Sequence, residues 1–183
     1  GLTGAAASVL GRRLHTAYAG QPGSMVRQLE TLVEEGWFRV LGPGALQLQV
    51  DVNQLRQGEM PVPEAVAVAL AHMLETLPSD AMELVGLLAL LDRPAGASLL
   101  GRCTGDPLEA GRVLDELSRR GILVAESDDT SERYTFGDPS TGRVVRNQLD
   151  PEQRKALHGR IAGALSGRRR RAVAFEIAHH LAA

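Results

Sequence analysis

The chain has 183 residues, 44% of them hydrophobic and only 3% aromatic, so it is long enough for one core or two small ones and needs no staples. Abundant Ala, Leu and Val predict a mainly α protein packed through small side chains. A formal charge of -2, with Lys155 the only lysine, excludes a surface built throughout for nucleic acid, though not a local basic cluster.

Residues 5–18 carry Val9, Leu10, Leu14 and Tyr18 at helical spacing, and Gly20-Gln21-Pro22-Gly23 breaks that helix. Ser24 is the expected N-cap of a second helix, with Met25, Leu29 and Leu32 on its buried side. The phrase Leu29-x-x-Leu32-x-x-x-Gly36 then runs into Trp37-Phe38-x-Val40, and it recurs as Leu114-x-x-Leu117-x-x-x-Gly121 before Ile122-Leu123-Val124. Leucines three and four positions apart share a helical face, and the glycine supplies the left-handed residue that stops the helix. Each copy therefore predicts a packed helix that feeds a β-hairpin. The first hairpin pairs 37–40 with 46–50 across a five-residue connection, and the second pairs 122–126 with 133–136 across the polar stretch 127–132.

The stretch 51–63, with Gly58, Pro61 and Pro63, is expected to be a connector, which places a domain boundary near Met60. Pro63 opens a helix to Leu77 carrying Val66, Leu70, Met73 and Leu74. Ser79 is expected to cap the next helix, whose run 84–91 is apolar all round and must be the most buried in the chain. A short helix over 97–103 follows, and Asp106-Pro107 supplies a capping carboxylate and a first-turn proline for a helix to Arg120. Three more helices are predicted over 142–149, 151–165 and 171–181. The resulting fold class is mainly α: a lid-like helical unit with its own hairpin (1–59), a winged helix (60–149) and an α-helical hairpin (150–183).

This order of parts resembles the region downstream of the ATPase core in bacterial signal-transduction ATPases of the STAND class. Gly20-Gln21-Pro22 with 25–36 is similar to the family's lid phrase G-N-P-x-F-x-x-x-x-L-x-x-L-x-x-x-G, and 61–66 looks like the start of its winged helix. The segment 114–124 is similar to the family's recognition-helix position and first wing strand. Arg133-Tyr134-Thr135-Phe136-Gly137-Asp138-Pro139 is similar to R-Y-x-F-x-H-[DP], with Asp138 where the family has a nucleotide-sensing histidine. A carboxylate repels a phosphate that a histidine can hold, so this position departs from the family in chemistry as well as in sequence. Segments 157–165 and 176–181 look like the helices that open the family's repeat array.

The resemblance implies a non-catalytic regulatory segment that couples nucleotide state to partner binding through docking of the winged helix. It implies contact of Gly20 and Pro22 with the adenine of a nucleotide, ATP or ADP, held by an upstream core. No Gly-x-x-x-x-Gly-Lys-Ser/Thr loop is present, so this chain is not expected to be an enzyme. The alternative is a winged-helix DNA-binding regulator, but the outward positions of 107–120 mix Glu109, Asp115 and Glu116 with Arg112, Arg119 and Arg120. As many acids as bases on that face disfavour DNA and favour a protein partner or the nucleotide-binding core. The interaction face is assigned to Arg112, Glu116, Arg119 and Arg120. The one basic run, Arg168 to Arg171, is a solvated linker or a patch for phosphate or an acidic partner.

Cys103 has no partner for an internal disulfide. Glu176 with His179 or His180 has helical i, i+3 and i, i+4 spacing but lacks two further ligands in sequence, so no metal is expected. With no apolar run near the roughly 20 residues that span a bilayer, no membrane partner is expected and the cytoplasm is the expected compartment. A start at Gly1-Leu2 and an end at Leu181-Ala182-Ala183 lead us to expect a segment of a larger polypeptide.

Overall fold

The computed structural model describes residues 4–18, 21–43, 45–128, 131–166 and 171–182. Among these residues the protein is mainly helical, with two small antiparallel sheets, and it divides into compact units at 1–67 and 68–183.

The first unit packs α1 (Gly4–Tyr18), α2 (Pro22–Glu34), the hairpin β1 (Phe38–Gly42) and β2 (Ala45–Leu48), and α3 (Val52–Gln57). Leu10 and Leu14 of α1, Leu32 of α2, Trp37, Phe38 and Leu55 form its core. The helix-to-strand phrase folds as its spacing requires. Gly36 has φ 74°, and Gly36 N–H donates to the Val33 carbonyl (3.0 Å) while Trp37 N–H donates to that of Leu32 (2.8 Å). These are the two bonds of a Schellman cap, closed by the apolar pair Leu32 and Trp37.

Three local expectations are corrected. Helix α2 begins at Pro22, with Gln21 and not Ser24 in the capping position, because proline's fixed φ suits the first turn and its missing N–H costs nothing there. The connector contains a helix: the Asp51 carboxylate accepts from Asn53 N–H (2.6 Å) and Gln54 N–H (2.9 Å) and so starts α3, which is too short to display a period. From α1, Arg13 donates to the Leu55 and Gly58 carbonyls, both at 2.7 Å, and satisfies the far end of that helix. The hairpin keeps the expected register, Phe38 to Leu48 and Val40 to Leu46, but its strands run on to Gly42 and Ala45, so the connection is shorter than five residues.

Helix α4 (Glu64–Glu75) begins in the first unit and ends in the second. The second unit then holds α5 (Ser79–Leu91), β3 (Ala95–Gly96), α6 (Ala97–Thr104), α7 (Pro107–Arg119), β4 (Leu123–Asp128), β5 (Ser131–Phe136), α8 (Thr141–Gln148), α9 (Pro151–Ser166) and α10 (Arg171–Ala182). Helix α5 is buried along its whole apolar run and touches α6, α7, α8 and α9. Leu87 alone, fully buried, contributes about 1.5–3 kcal/mol of transfer free energy. Its capping position is taken by Pro78, not Ser79, without a side-chain bond. Gly86 lets α9 approach closely, since a Cβ there would lie 2.8 Å from Leu157 Cδ1.

The second helix-to-strand phrase repeats the first. Gly121 has φ 72°, Gly121 N–H donates to Ser118 and Ile122 N–H donates to Leu117, both at 3.0 Å. The sheet order is β3-β5-β4, with Ala95 opposite Tyr134 and Leu123 opposite Phe136. Strand β3 has no sequence signal because it is two residues long and exists only by pairing with β5. Strands β4 and β5 reach Asp128 and Ser131, so most of the expected polar loop 127–132 is strand.

Candidate functional site

The exposed face of α7 is polar and charged. Asp106 starts the helix by accepting from Leu108 N–H (3.1 Å) and Glu109 N–H (3.0 Å), with Pro107 in the first turn. At the other end the Schellman cap turns the chain into β4, so both ends of α7 are fixed. Ala110, Val113, Leu114 and Leu117 face the core, which leaves Glu109, Arg112, Asp115, Glu116, Arg119 and Arg120 in or near solvent.

These outward charges engage one another. Arg112 Nη1 lies 3.0 Å from Glu109 Oε2. Glu116 joins two arginines, Oε2 to Arg119 Nη2 at 2.5 Å and Oε1 to Arg120 Nε at 2.7 Å. Hydrogen bonding from Arg120 and the adjacent positive charges hold the Glu116 carboxyl below its ordinary ionisation range. Exposed pairs of this kind add little to stability. Their effect is local: each of these carboxylates has an arginine beside it, and the face as a whole is close to neutral.

Two shallow grooves flank the helix. One, of about 280 Å³, lies between the start of α5 and the C-terminal half of α7 and is lined by Leu77, Pro78, Asp80 and Ala81 together with Arg112, Glu116, Arg119 and Arg120. The structure thus brings all four assigned face residues to one groove. Its α5 side was not legible in sequence, where Pro78-Ser79-Asp80 reads only as a helix start. The other groove, of about 210 Å³, is bordered by four carboxylates, Asp80, Glu83, Asp106 and Glu109. It adjoins the N-terminal end of α7, where Leu108 is 82% exposed.

Pro22 occupies the first turn of α2 in the first unit, while Gly20 lies outside the described residues. Arg168, Arg169, Arg170 and the side chain of Arg171 also lie outside them. Asp138 acts locally, since its Oδ1 accepts from Ser140 N–H at 2.7 Å and shapes the turn into α8. A carboxylate committed to that turn is no donor for a phosphate, so no nucleotide contact is assigned to it. Tyr134 of the same segment is buried and donates to Glu132 Oε2 at 2.7 Å, and burial together with that carboxylate pushes its ionisation up.

Among the described residues no three His, Cys, Asp or Glu side chains are arranged to hold a metal ion, and no helix is long and apolar enough to cross a membrane. No protein-family model matches the chain, and no curated protein matches it.

Proposed function

We propose that this chain is a non-catalytic regulatory and protein-interaction segment of a bacterial, cytoplasmic signal-transduction ATPase of the STAND class. In this reading residues 1–59 are the lid-like unit, 60–149 a winged helix and 150–183 the start of a helical repeat array. The winged helix docks on the nucleotide-binding core in one nucleotide state and leaves it in another, which makes the partner-binding helices responsive to ATP or ADP. The nucleotide belongs to the core, outside this chain.

Support for the winged-helix reading comes from the order α5, β3, α6, α7, β4, β5 and from the sheet order β3-β5-β4, in which a short strand between the first two helices joins the edge of the wing hairpin. The observation that carries the docking reading is the face of α7: near-neutral, cross-linked by its own ion pairs and bordered by a groove that contains Arg112, Glu116, Arg119 and Arg120. Such a surface suits a protein partner of mixed charge, since complementary charges fix register and orientation. Charge reversal of Arg119 and Arg120 to Glu should abolish capture of the upstream core by this chain while leaving its circular dichroism unchanged. Capture that survives the reversal would remove the assignment of this face.

DNA binding is the alternative reading, with α7 in the major groove. The carboxylates Asp80, Glu83, Asp106 and Glu109 cluster at the end of the helix that such a pose brings to the bases. Each of them opposes the phosphate backbone. Fluorescence anisotropy with a random-sequence duplex should therefore show no binding that weakens with salt; micromolar, steeply salt-dependent binding would favour the alternative.

A further inference from the structure

Two histidines 22 residues apart in sequence meet where α10 packs along α9. His158 and His180 are 6% and 4% exposed, their ring centroids are 4.9 Å apart, and their Nδ1 atoms are separated by 2.6 Å. At that distance one Nδ1 must carry a proton and the other must accept it, so two neutral rings hold opposite tautomers. A single added proton preserves the bond, because an imidazolium Nδ1–H still donates to a neutral ring. A second added proton leaves two N–H groups pointing at each other and two like charges in contact, away from water. We infer that His158 and His180 form a proton-gated latch that holds α10 on α9 while the pair carries at most one extra proton and releases it when both rings are charged.

The neighbouring charges reinforce the gate. Burial, His179 on α10 and Arg154 one turn earlier on α9 together hold His158 below the ordinary histidine range. The His179 ring lies 5.2 Å from His180 and 6.3 Å from His158. Lys155 stands three residues before His158 on α9, and Glu176 four residues before His180 on α10. The charged residues of α5 and α6 that meet α9 are engaged elsewhere on it, Glu83 with Arg160 and Arg102 with the Ala164 carbonyl. With the docked pKa depressed, the released helix binds more protons than the docked one below about pH 6.5. Docking is therefore complete above that pH and weakens as the pH falls from it through the lower docked value. With one excess proton on release, the opening equilibrium rises about tenfold per pH unit in that range.

Amide hydrogen exchange of the whole chain, corrected for the intrinsic effect of pH, tests this. Protection of α10 should fall at least tenfold between pH 7.5 and 5.5 while that of α5 stays level. His158→Asn keeps a hydrogen-bonding atom near the Nδ1 position but cannot titrate, and it should cut the dependence to below about threefold. His179→Gln should leave most of it in place. A pH-independent α10 in the wild type, a full response in His158→Asn, or its loss in His179→Gln would each overturn the latch. Ring nitrogen NMR of the wild type at pH 7.5 needs no variant: it should show one Nδ1–H and one Nε2–H tautomer, and two Nε2–H rings would overturn the pairing.

Discussion

Gly101→Ala sets two measurable effects against each other. In the interior of α6, alanine in place of glycine contributes about 1 kcal/mol of helix propensity. The added Cβ, however, would lie 2.8 Å from Pro107 Cα and 3.1 Å from Pro107 Cβ. That neighbour is backbone, in the first turn of α7 directly after the Asp106 cap, so it cannot yield as the tip of a flexible side chain would. Overpacking against a fixed neighbour costs about 2–3 kcal/mol, the upper part of the usual range, which leaves a net loss of about 1–2 kcal/mol. Gly111→Ala in α7 is the matched control, because a Cβ there meets nothing within 4 Å and the variant should gain about 0.5–1 kcal/mol. Urea unfolding followed by circular dichroism measures both variants, and the fluorescence of Trp37, the single tryptophan, supplies a reference from the first unit. If Gly101→Ala stabilises the protein as Gly111→Ala does, the close packing of α6 against the start of α7 is wrong.

Asp106→Ala should cost about 1 kcal/mol in the same assay through loss of the α7 cap, while Asp106→Asn should cost much less. Arg146 donates to the Ala89 carbonyl (2.9 Å) and to Asp92 Oδ1 (3.1 Å) at the end of α5, where Asp92 adopts φ 50°. Arg146→Met should therefore cost about 1.5–3 kcal/mol, and a loss below about 0.5 kcal/mol would contradict that role. Burial pushes the Cys103 thiol up to about 11, so its contribution to stability is full below the unfolded value near 8.5 and is lost as pH rises from there towards 11. Alkylation by iodoacetamide at pH 8 should accordingly be at least about a hundredfold slower in the native protein than in urea, and comparable rates would refute the burial of this side chain.

The features legible in sequence are those that local chemistry fixes. The two helix-glycine-strand phrases fold into Schellman caps because left-handed φ at Gly36 and Gly121 and apolar residues on both sides are encoded within a few positions. The Asp106-Pro107 start and the wholly buried α5 were legible for the same reason. Features that depend on distant partners were not. Strand β3 needs β5, the groove beside α7 needs the start of α5, and the His158–His180 contact joins two helices. The face residues on α7 and their balance of acids and bases could be read from helical spacing, but which carboxylate pairs with which arginine needed side-chain geometry.

The central claim is that the α7 face docks on a nucleotide-binding core in a state-dependent way. Its most direct test is calorimetric titration of this chain into that core, loaded with ADP or with a non-hydrolysable ATP analogue, for the wild type and for the double reversal of Arg119 and Arg120 to Glu. The account predicts affinities that differ by at least about fivefold between the two nucleotide states and a loss of binding in the variant. Equal affinity in both states, or a variant that binds as the wild type does, would contradict it.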